Sequence, residues 1–372
     1  MLTMTEDVYE RLAKHFPTLG MGYPLTEDLV DIVRENFTPK EAEVALLLPT
    51  KVAPLQPVGV NDIIGEASFP RAELVDILER LSQRGLLFTG KTKDGEKGYA
   101  LQQAGYGFPQ TFFWKGEDTP FARNMASLIA KYFNRKVTAE TYAGSETKPF
   151  RYVPVGGTID HQRQAVYSYD MMEKVIEKAG VIAVAHCSCR MIAQLRGRGC
   201  NHPLEVCMKY DEIAEYLRDR GLAREITKGE ALQIIKEAEE AGLVHFVDNA
   251  MEDIKHTCNC CGCACWNVGN IKRRKIPRDV IMATYYIRYT DDKECIGCGD
   301  CIEVCPVDAL TVEGVSPTVD EDWCIGCGVC IAKCSSGAAK LRLRTDRMEQ
   351  VPPRNFEELH ERILEEKGLR QV

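Results

Sequence analysis

Polar and apolar positions along the chain follow two periods, and the changes between them mark its elements. Through the first hundred residues a helical period of about 3.6 dominates. Helices are predicted over Thr5–His15 and Thr26–Asn36, the second with Leu29, Ile32 and Val33 on one face. Thr38-Pro39-Lys40-Glu41 reads as a helix start, with Thr38 as cap and Pro39 in the first turn. It leads into Ala42–Leu48, which Pro49 ends. A further helix is predicted from Ser68, with Pro70 near its first turn, to Gly85; its apolar face is Leu74, Val75, Ile77, Leu78 and Leu81. The period then drops to two. Leu86-Leu87-Phe88 and Tyr99-Ala100-Leu101 read as strands on either side of the polar turn Lys91–Gly98. Several helices followed by a β-hairpin predict a winged-helix-like domain over residues 1–110.

Downstream the pattern is more broken. A helix is expected over Pro120–Phe133, and turn signals fill 134–160. Val155-Gly156-Gly157-Thr158 lacks the glycine pattern and the strand–turn–helix frame of a nucleotide-binding loop. An apolar strand, Val181–Ala185, delivers His186-Cys187-Ser188-Cys189-Arg190. Cys200 and Cys207 follow, on either side of Asn201-His202-Pro203. Two helices come next, Tyr210–Arg220 and Thr227–Ala241. The second opens on the capping box Thr227…Glu230 and stops at Gly242. The strand Leu243–Val247 after it echoes Gly85-Leu86-Leu87-Phe88, so a second helix–hairpin unit is expected here. Then comes Cys258-Asn-Cys260-Cys261-Gly-Cys263-Ala-Cys265, with Lys272-Arg273-Arg274-Lys275 and Arg278 just beyond. Asn355–Lys367 closes the chain as an amphipathic helix presenting Phe356, Leu359, Ile363 and Leu364.

The cysteines change the picture. Residues 295–305 and 324–334 both read C-x2-C-x2-C-x3-C, and residues 295–309 and 324–338 share nine of fifteen positions at an offset of 29. This spacing serves [4Fe–4S] clusters: three thiolates converge from one tight loop and a fourth comes from elsewhere. Gly297, Gly299, Gly326 and Gly328 let that loop curl, because glycine accepts positive φ at little cost. Paired zinc sites explain neither the third cysteine nor the duplicated frame. The segment resembles a bacterial-type two-cluster ferredoxin, with Ser335 standing where that family usually has proline. The resemblance implies that Cys295, Cys298, Cys301 and Cys334 hold one cluster and Cys324, Cys327, Cys330 and Cys305 the other.

Nine further cysteines, Cys187, Cys189, Cys200, Cys207, Cys258, Cys260, Cys261, Cys263 and Cys265, lie in two groups that the two helices separate. A strand end and two loops brought together would make one sulfur-rich pocket, and soft thiolates select Fe–S clusters, zinc or Cu(I). One or two additional Fe–S clusters are expected there, with a structural zinc site as the alternative. Cys260-Cys261-Gly262 invites comparison with the CCG motif of heterodisulfide reductases but lacks a second copy. His186 and His202 are expected to hydrogen-bond sulfur or pack locally, and Arg190 to offset cluster charge. The basic run at 272–278 reads as a patch that docks an acidic partner, compensates thiolate charge or is simply solvated.

Composition narrows the classes. Hydrophobic residues make up 45% and charged residues 27% of 372, and no run approaches 18 apolar residues, so no membrane insertion is expected. The first residues lack the plan of a signal peptide. Seventeen cysteines in that context predict a cytoplasmic protein, suited to an anaerobic setting, whose thiols serve metal rather than disulfides. A net charge of −8 argues against general nucleic-acid affinity.

Taken in order, the winged-helix-like segment, Cys187-Ser-Cys189-Arg190, Cys258-Asn-Cys260-Cys261-Gly262 and the ferredoxin repeat resemble a group of large 4Fe–4S-binding proteins of anaerobic bacteria and archaea. Many members close the dense motif with Cys-Cys, where this chain has Cys263-Ala264-Cys265. The expected architecture is α+β and multidomain. A winged-helix-like domain spans 1–110, a central α/β cysteine-rich domain 111–285, a two-cluster ferredoxin-like domain 286–345 and a C-terminal helical tail 346–372. The expected function is single-electron transfer, as a carrier or as a subunit of a redox complex. Its partner would be a redox protein, either an oxidoreductase or a donor like an electron-transfer flavoprotein. The alternatives are a redox-sensing iron–sulfur transcription regulator and an oxidoreductase with a site-differentiated central cluster. No acid–base constellation nominates catalytic residues.

Overall fold

The computed structural model describes residues 6–156, 158–159, 171–312, 314–347 and 350–370. Thr5, where the first helix was expected to begin, and Gly157 of the double glycine lie outside the described residues.

The four helices and the hairpin expected in the first hundred residues all form, joined by a short strand, Val58–Gly59, and a one-turn helix, Val60–Ile63, that the pattern did not predict. The first helix runs Val8–His15, with Asp7 accepting from the Tyr9 N–H at its start. Thr26 caps Glu27–Asn36, and Thr38 and Glu41 form a reciprocal capping box on Pro39–Ala45. The helix expected from Ser68 begins later, at Arg71, and runs to Gln83. Pro70 is its N-cap, because a residue before proline is driven out of the helical region and the turn cannot extend back through Phe69. Leu74, Ile77, Leu78 and Leu81 are buried, whereas Val75 is only half-buried. Three antiparallel strands, β1 (Val58–Gly59), β2 (Leu87–Lys91) and β3 (Lys97–Leu101), form a sheet in the order β1-β3-β2.

The centre of the molecule is a six-stranded sheet in the order β4-β8-β9-β6-β5-β7. Its strands are β4 (Phe150–Val153), β5 (Ile182–His186), β6 (Glu205–Tyr210), β7 (Arg224–Glu225), β8 (Val244–Asp248) and β9 (His256–Cys260). Every pairing in it is antiparallel. The expectation of a central α/β domain is therefore corrected to α+β. The expected second helix–hairpin unit is also corrected. Strand β8 does turn back into β9, but β9 pairs with β6 on its other side and the hairpin is absorbed into the larger sheet.

Side chains alternate across a strand, so each face of this sheet gathers its own core. One face, with Ala185, Cys207, Phe246 and Cys260, joins the core of the N-terminal helices. The other, with Val184, Val206, Met208 and Val247, packs on the helices Met172–Lys178 and Lys228–Glu240. The helix Asp211–Asp219 ties the first face to the N-terminal unit. Its Tyr216 hydroxyl donates to the Leu87 carbonyl at 2.7 Å, and Arg220 donates to Thr89 at 2.9 Å.

The C-terminal unit consists of β10 (Tyr286–Thr290) paired with β13 (Ala339–Leu343), β11 (Leu310–Val312) paired with β12 (Pro317–Val319), and two short helices, Asp300–Glu303 and Val329–Ala332. The last helix, Phe356–Glu366, buries Phe356, Leu359, Ile363 and Leu364, as its amphipathic pattern predicted. Among the described residues no helix is long and apolar enough to cross a membrane.

Candidate metal centres

Strand parity places three of the nine central cysteines, and turns and a helix start place the rest. Cys258 and Cys260 sit two apart on β9 and share a face; Cys207 lies on the neighbouring strand β6. Cys187 ends the turn after β5, Cys189 lies in the first turn of the helix Ser188–Leu195, and Cys265 follows the β9 loop. All six line one internal cavity of about 80 Å³, walled also by Phe133, Phe150, Phe246 and Trp266. Within it the Sγ atoms of Cys260 and Cys265 are 3.2 Å apart. Neighbouring thiols shift one another's acidity: Cys187, Cys258 and Cys265 are pulled down and Cys189, Cys207 and Cys260 are pushed up, each chiefly by sharing a proton with an adjacent thiol. Protons shared between sulfurs in this way are the ones a metal displaces on binding.

The surroundings of this cavity suit an anionic iron–sulfur group. Arg190 is 2% exposed, and its Nη1 donates to the Asn259 carbonyl at 3.0 Å and lies 3.9 Å from Cys261 Sγ. Its Nε and Nη2 have no partner among the described residues. Burial opposes its charge, but the thiolates of Cys187, Cys260 and Cys261 more than offset that and hold the guanidinium protonated. A buried charge with free N–H groups is costly unless an anion meets it. On the sheet side, His256 Nδ1 lies 2.9 Å from Asp248 Oδ1, and its ring is within hydrogen-bonding reach of Cys258. Tyr106 donates to the same carboxylate at 2.7 Å. The Asp248 carboxylate thus orients the ring that faces the thiol, an arrangement that fixes ligand geometry in metal sites.

Cys200, Cys261 and Cys263 do not join this cavity. The odd-numbered step from Cys260 to Cys261 turns that side chain to the other face of the sheet. There Cys200, His202, Cys261 and Cys263 bring four donor atoms within 4.8 Å of one another. His202 Nδ1 is 3.4 Å from Cys200 Sγ and 3.9 Å from Cys263 Sγ. Burial, with Arg190 nearby, lowers the His202 pKa and favours the neutral, ligating ring; burial and two neighbouring thiols push Cys263 up to about 12. The single pocket expected for all nine cysteines is therefore two sites. His186 is not part of either: its Nδ1 faces the Trp114 carbonyl at 3.2 Å.

In the C-terminal repeat the four glycines all take positive φ, between 62° and 84°. At Gly326 nothing else fits, since an added Cβ would stand 2.2 Å from the Tyr286 carbonyl oxygen. The two fourth cysteines are held alike: Ala309 N–H donates to Cys305 Sγ at 3.3 Å and Ala339 N–H to Cys334 Sγ at 3.4 Å. Cys301 feels the charges of Cys298 and Cys334, whereas Cys327 feels those of Cys330, Cys305 and Cys324. Exposure differs between the two groups. Cys298 is exposed and Cys295 and Cys334 half-buried, but Cys305, Cys324, Cys327 and Cys330 are all buried. Arg288, unremarked in the sequence, lies 3.7 Å from Cys301 Sγ through Nη2.

The buried group abuts the central sheet. Val155 N–H donates to the Cys327 carbonyl at 2.9 Å, and Gly262 lies against Pro306, so close that a Cβ there would be 2.1 Å from the Pro306 carbonyl oxygen. Tyr152 on β4 is fully buried, its hydroxyl has no partner among the described residues, and it feels Cys265, Cys260 and Cys327 together. The basic run also clamps the cysteine loops, while Arg273 and Lys275 stay exposed. Arg273 donates to the carbonyls of Gly262, Cys263 and Cys265, Arg278 to that of Cys324, and Lys272 pairs with Asp308.

Residues 287–347 match the family described as the 4Fe-4S dicluster domain. The C-terminal segment is thus an iron–sulfur domain of the ferredoxin type, and with the cysteine-rich centre it points to electron transfer. No curated protein and no solved structure matched the chain.

Proposed function

We propose that the chain is an iron–sulfur electron-transfer protein in which the two ferredoxin-type sites and the six-cysteine cavity form a line of one-electron centres. In this reading Cys295, Cys298, Cys301 and Cys334 hold the outer cluster, and Cys305, Cys324, Cys327 and Cys330 the inner one. Four of Cys187, Cys189, Cys207, Cys258, Cys260 and Cys265 hold a third. Clusters of this kind supply one-electron transfer at potentials set by charge, hydrogen bonds and exposure. The observation that carries the proposal is the contact of the inner ferredoxin site with the central sheet: Val155 N–H donates to the Cys327 carbonyl at 2.9 Å, and nearby on the same strand's end the buried, unpartnered Tyr152 hydroxyl feels the charges of Cys265, Cys260 and Cys327. Exposed Cys298 makes the outer site the face for a redox protein partner.

The N-terminal unit in this reading is a winged-helix-like docking element rather than a DNA reader. The order β1-β3-β2 after helices supports the first half of that statement. The second half rests on charge. Arg80 pairs with Asp76, Arg84 with Glu41, Lys40 with Glu73 and Lys97 with Glu79, and the helix Arg71–Gln83 and the hairpin together carry five acids against five bases, so they present no net positive charge to gather phosphates. A sequence-specific gel shift at moderate salt in either redox state would overturn it.

The test is iron and acid-labile sulfide per chain after anaerobic purification, with EPR of the reduced protein. About twelve iron are expected, against about eight for the repeat alone. Cys258→Ser should remove about four and leave the ferredoxin signals. A wild-type protein with about eight iron, unchanged by that substitution, sinks the third centre. Tyr152→Phe should keep all the iron but shift the potential of the cavity signal; an unmoved potential removes the role of its hydroxyl.

A further inference from the structure

Cys200, His202, Cys261 and Cys263 differ from the six-cysteine cavity in two ways: one donor is an imidazole, and all four donor atoms lie within reach of a single point. Each thiolate of a cubane caps a different iron, and the cluster itself holds those ligands apart. Ligands of one ion converge on a point. In a tetrahedral zinc site, Zn–S and Zn–N bonds of about 2.3 and 2.0 Å place sulfurs about 3.8 Å from each other and about 3.5 Å from the nitrogen. The four donor atoms here lie within 4.8 Å of one another, with sulfur–nitrogen separations of 3.4 and 3.9 Å. The donor set also fits: three thiolates and an imidazole make a closed structural zinc site. We infer that these four residues bind a single zinc ion, separate from the iron–sulfur sites.

The site joins two short arms, Cys200-x-His202 and Cys261-x-Cys263, that no described strand pairing connects. The first arm lies in the segment between the helix Ser188–Leu195 and β6; the second leaves β9 and runs under Pro306. One ion bonded to both therefore fixes the end of β9 relative to the strand that carries Cys207. It also fixes the Gly262–Pro306 contact with the ferredoxin-type unit. Zinc has no redox chemistry, so the ion contributes position and no electron. Cys263 is exposed and Cys200 and His202 half-buried, which leaves the ion within reach of a chelator.

The test uses the full chain purified anaerobically without added metal and without an affinity tag that binds metal. Zinc and iron are counted together. One zinc per chain is expected, with an X-ray absorption shell of three sulfurs and one nitrogen, which needs no variant. Cys200→Ser and His202→Ala should each lose the zinc and retain all iron and sulfide, whereas Cys207→Ser should keep the zinc. Absence of zinc from the wild type overturns the inference, as does a Cys200→Ser protein that loses about four iron and the matching sulfide. The two readings fail separately: about eight iron with one zinc would refute the third cluster and leave this site standing.

Discussion

Replacing Arg288 by glutamine removes a buried positive charge from between the two ferredoxin-type sites. The residue is 3% exposed, its Nη2 is 3.7 Å from Cys301 Sγ, and both Cys301 and Cys330 feel its charge. Reduction adds one negative charge, which a nearby guanidinium stabilises; its loss must make reduction harder and move the potential down. The added electron is spread over a cluster, so its mean distance from the guanidinium exceeds that of the nearest sulfur. At about 7 Å and an effective dielectric constant of about 20, the interaction is about 2.4 kcal/mol, or about 100 mV for one electron. The cluster bound through Cys301 should show most of that drop and the one bound through Cys330 a smaller part. Arg288→Lys retains the charge and should move either potential much less. EPR-monitored redox titration of the three proteins under anaerobic conditions measures all of this. A fall below about 30 mV in the glutamine protein, or an equal fall in the lysine protein, would show that the charge of Arg288 does not set these potentials.

Two other perturbations test how the units are held together. Tyr216→Phe removes the hydroxyl that donates to the Leu87 carbonyl and accepts from Gln102 across the join of the N-terminal unit and the sheet. A loss of about 1–2 kcal/mol in denaturant unfolding is expected, and an unchanged midpoint would mean that this contact does not hold the join. His360 is buried, with Nε2 3.0 Å from the Tyr106 hydroxyl, and burial lowers its pKa from 6.5 to about 3. Its folded pKa lies below its unfolded one, so its contribution is full above the unfolded value and is lost as pH falls toward the folded value. The expected slope in that window is up to about 1.4 kcal/mol per pH unit. His360→Gln should flatten the pH dependence of stability between pH 6.5 and 5.5; an unchanged slope assigns the acid sensitivity to other groups.

The helices of the first hundred residues and the two after Cys207 were legible because each carries its own local signals: a cap, an apolar face, a stop at glycine or proline. Thr38 and Thr227 act as caps at the positions predicted, and Thr26, expected as the first helical residue, is the cap of its helix. The ferredoxin repeat was legible for a different reason, since its spacing is the geometry of the loop and its four glycines take the conformations that the spacing required. Strand β4 was hidden in a turn-rich stretch, and β6 and β9 were hidden by their composition. His256-Thr-Cys-Asn-Cys260 has no simple apolar alternation, because an imidazole, an amide and the Cys260 thiol are buried in it. Buried polar groups disguise a strand that period alone would reveal.

By itself, the sequence determined which sulfurs were candidates for metal: seventeen thiols, eight of them in a duplicated C-x2-C-x2-C-x3-C frame. It could not divide the other nine. Only the tertiary structure decided that Cys258 and Cys260 face one cavity with Cys187, Cys189, Cys207 and Cys265, while Cys261 and Cys263 meet Cys200 and His202 elsewhere. The reasons are the two-residue repeat of a strand, which sends Cys260 and Cys261 to opposite faces, a register that sets β6 beside β9, and the turn after β9 that brings Cys265 back to the cavity while leaving Cys263 outside it. Spacing along the chain cannot carry that information until the strand and its neighbour are known.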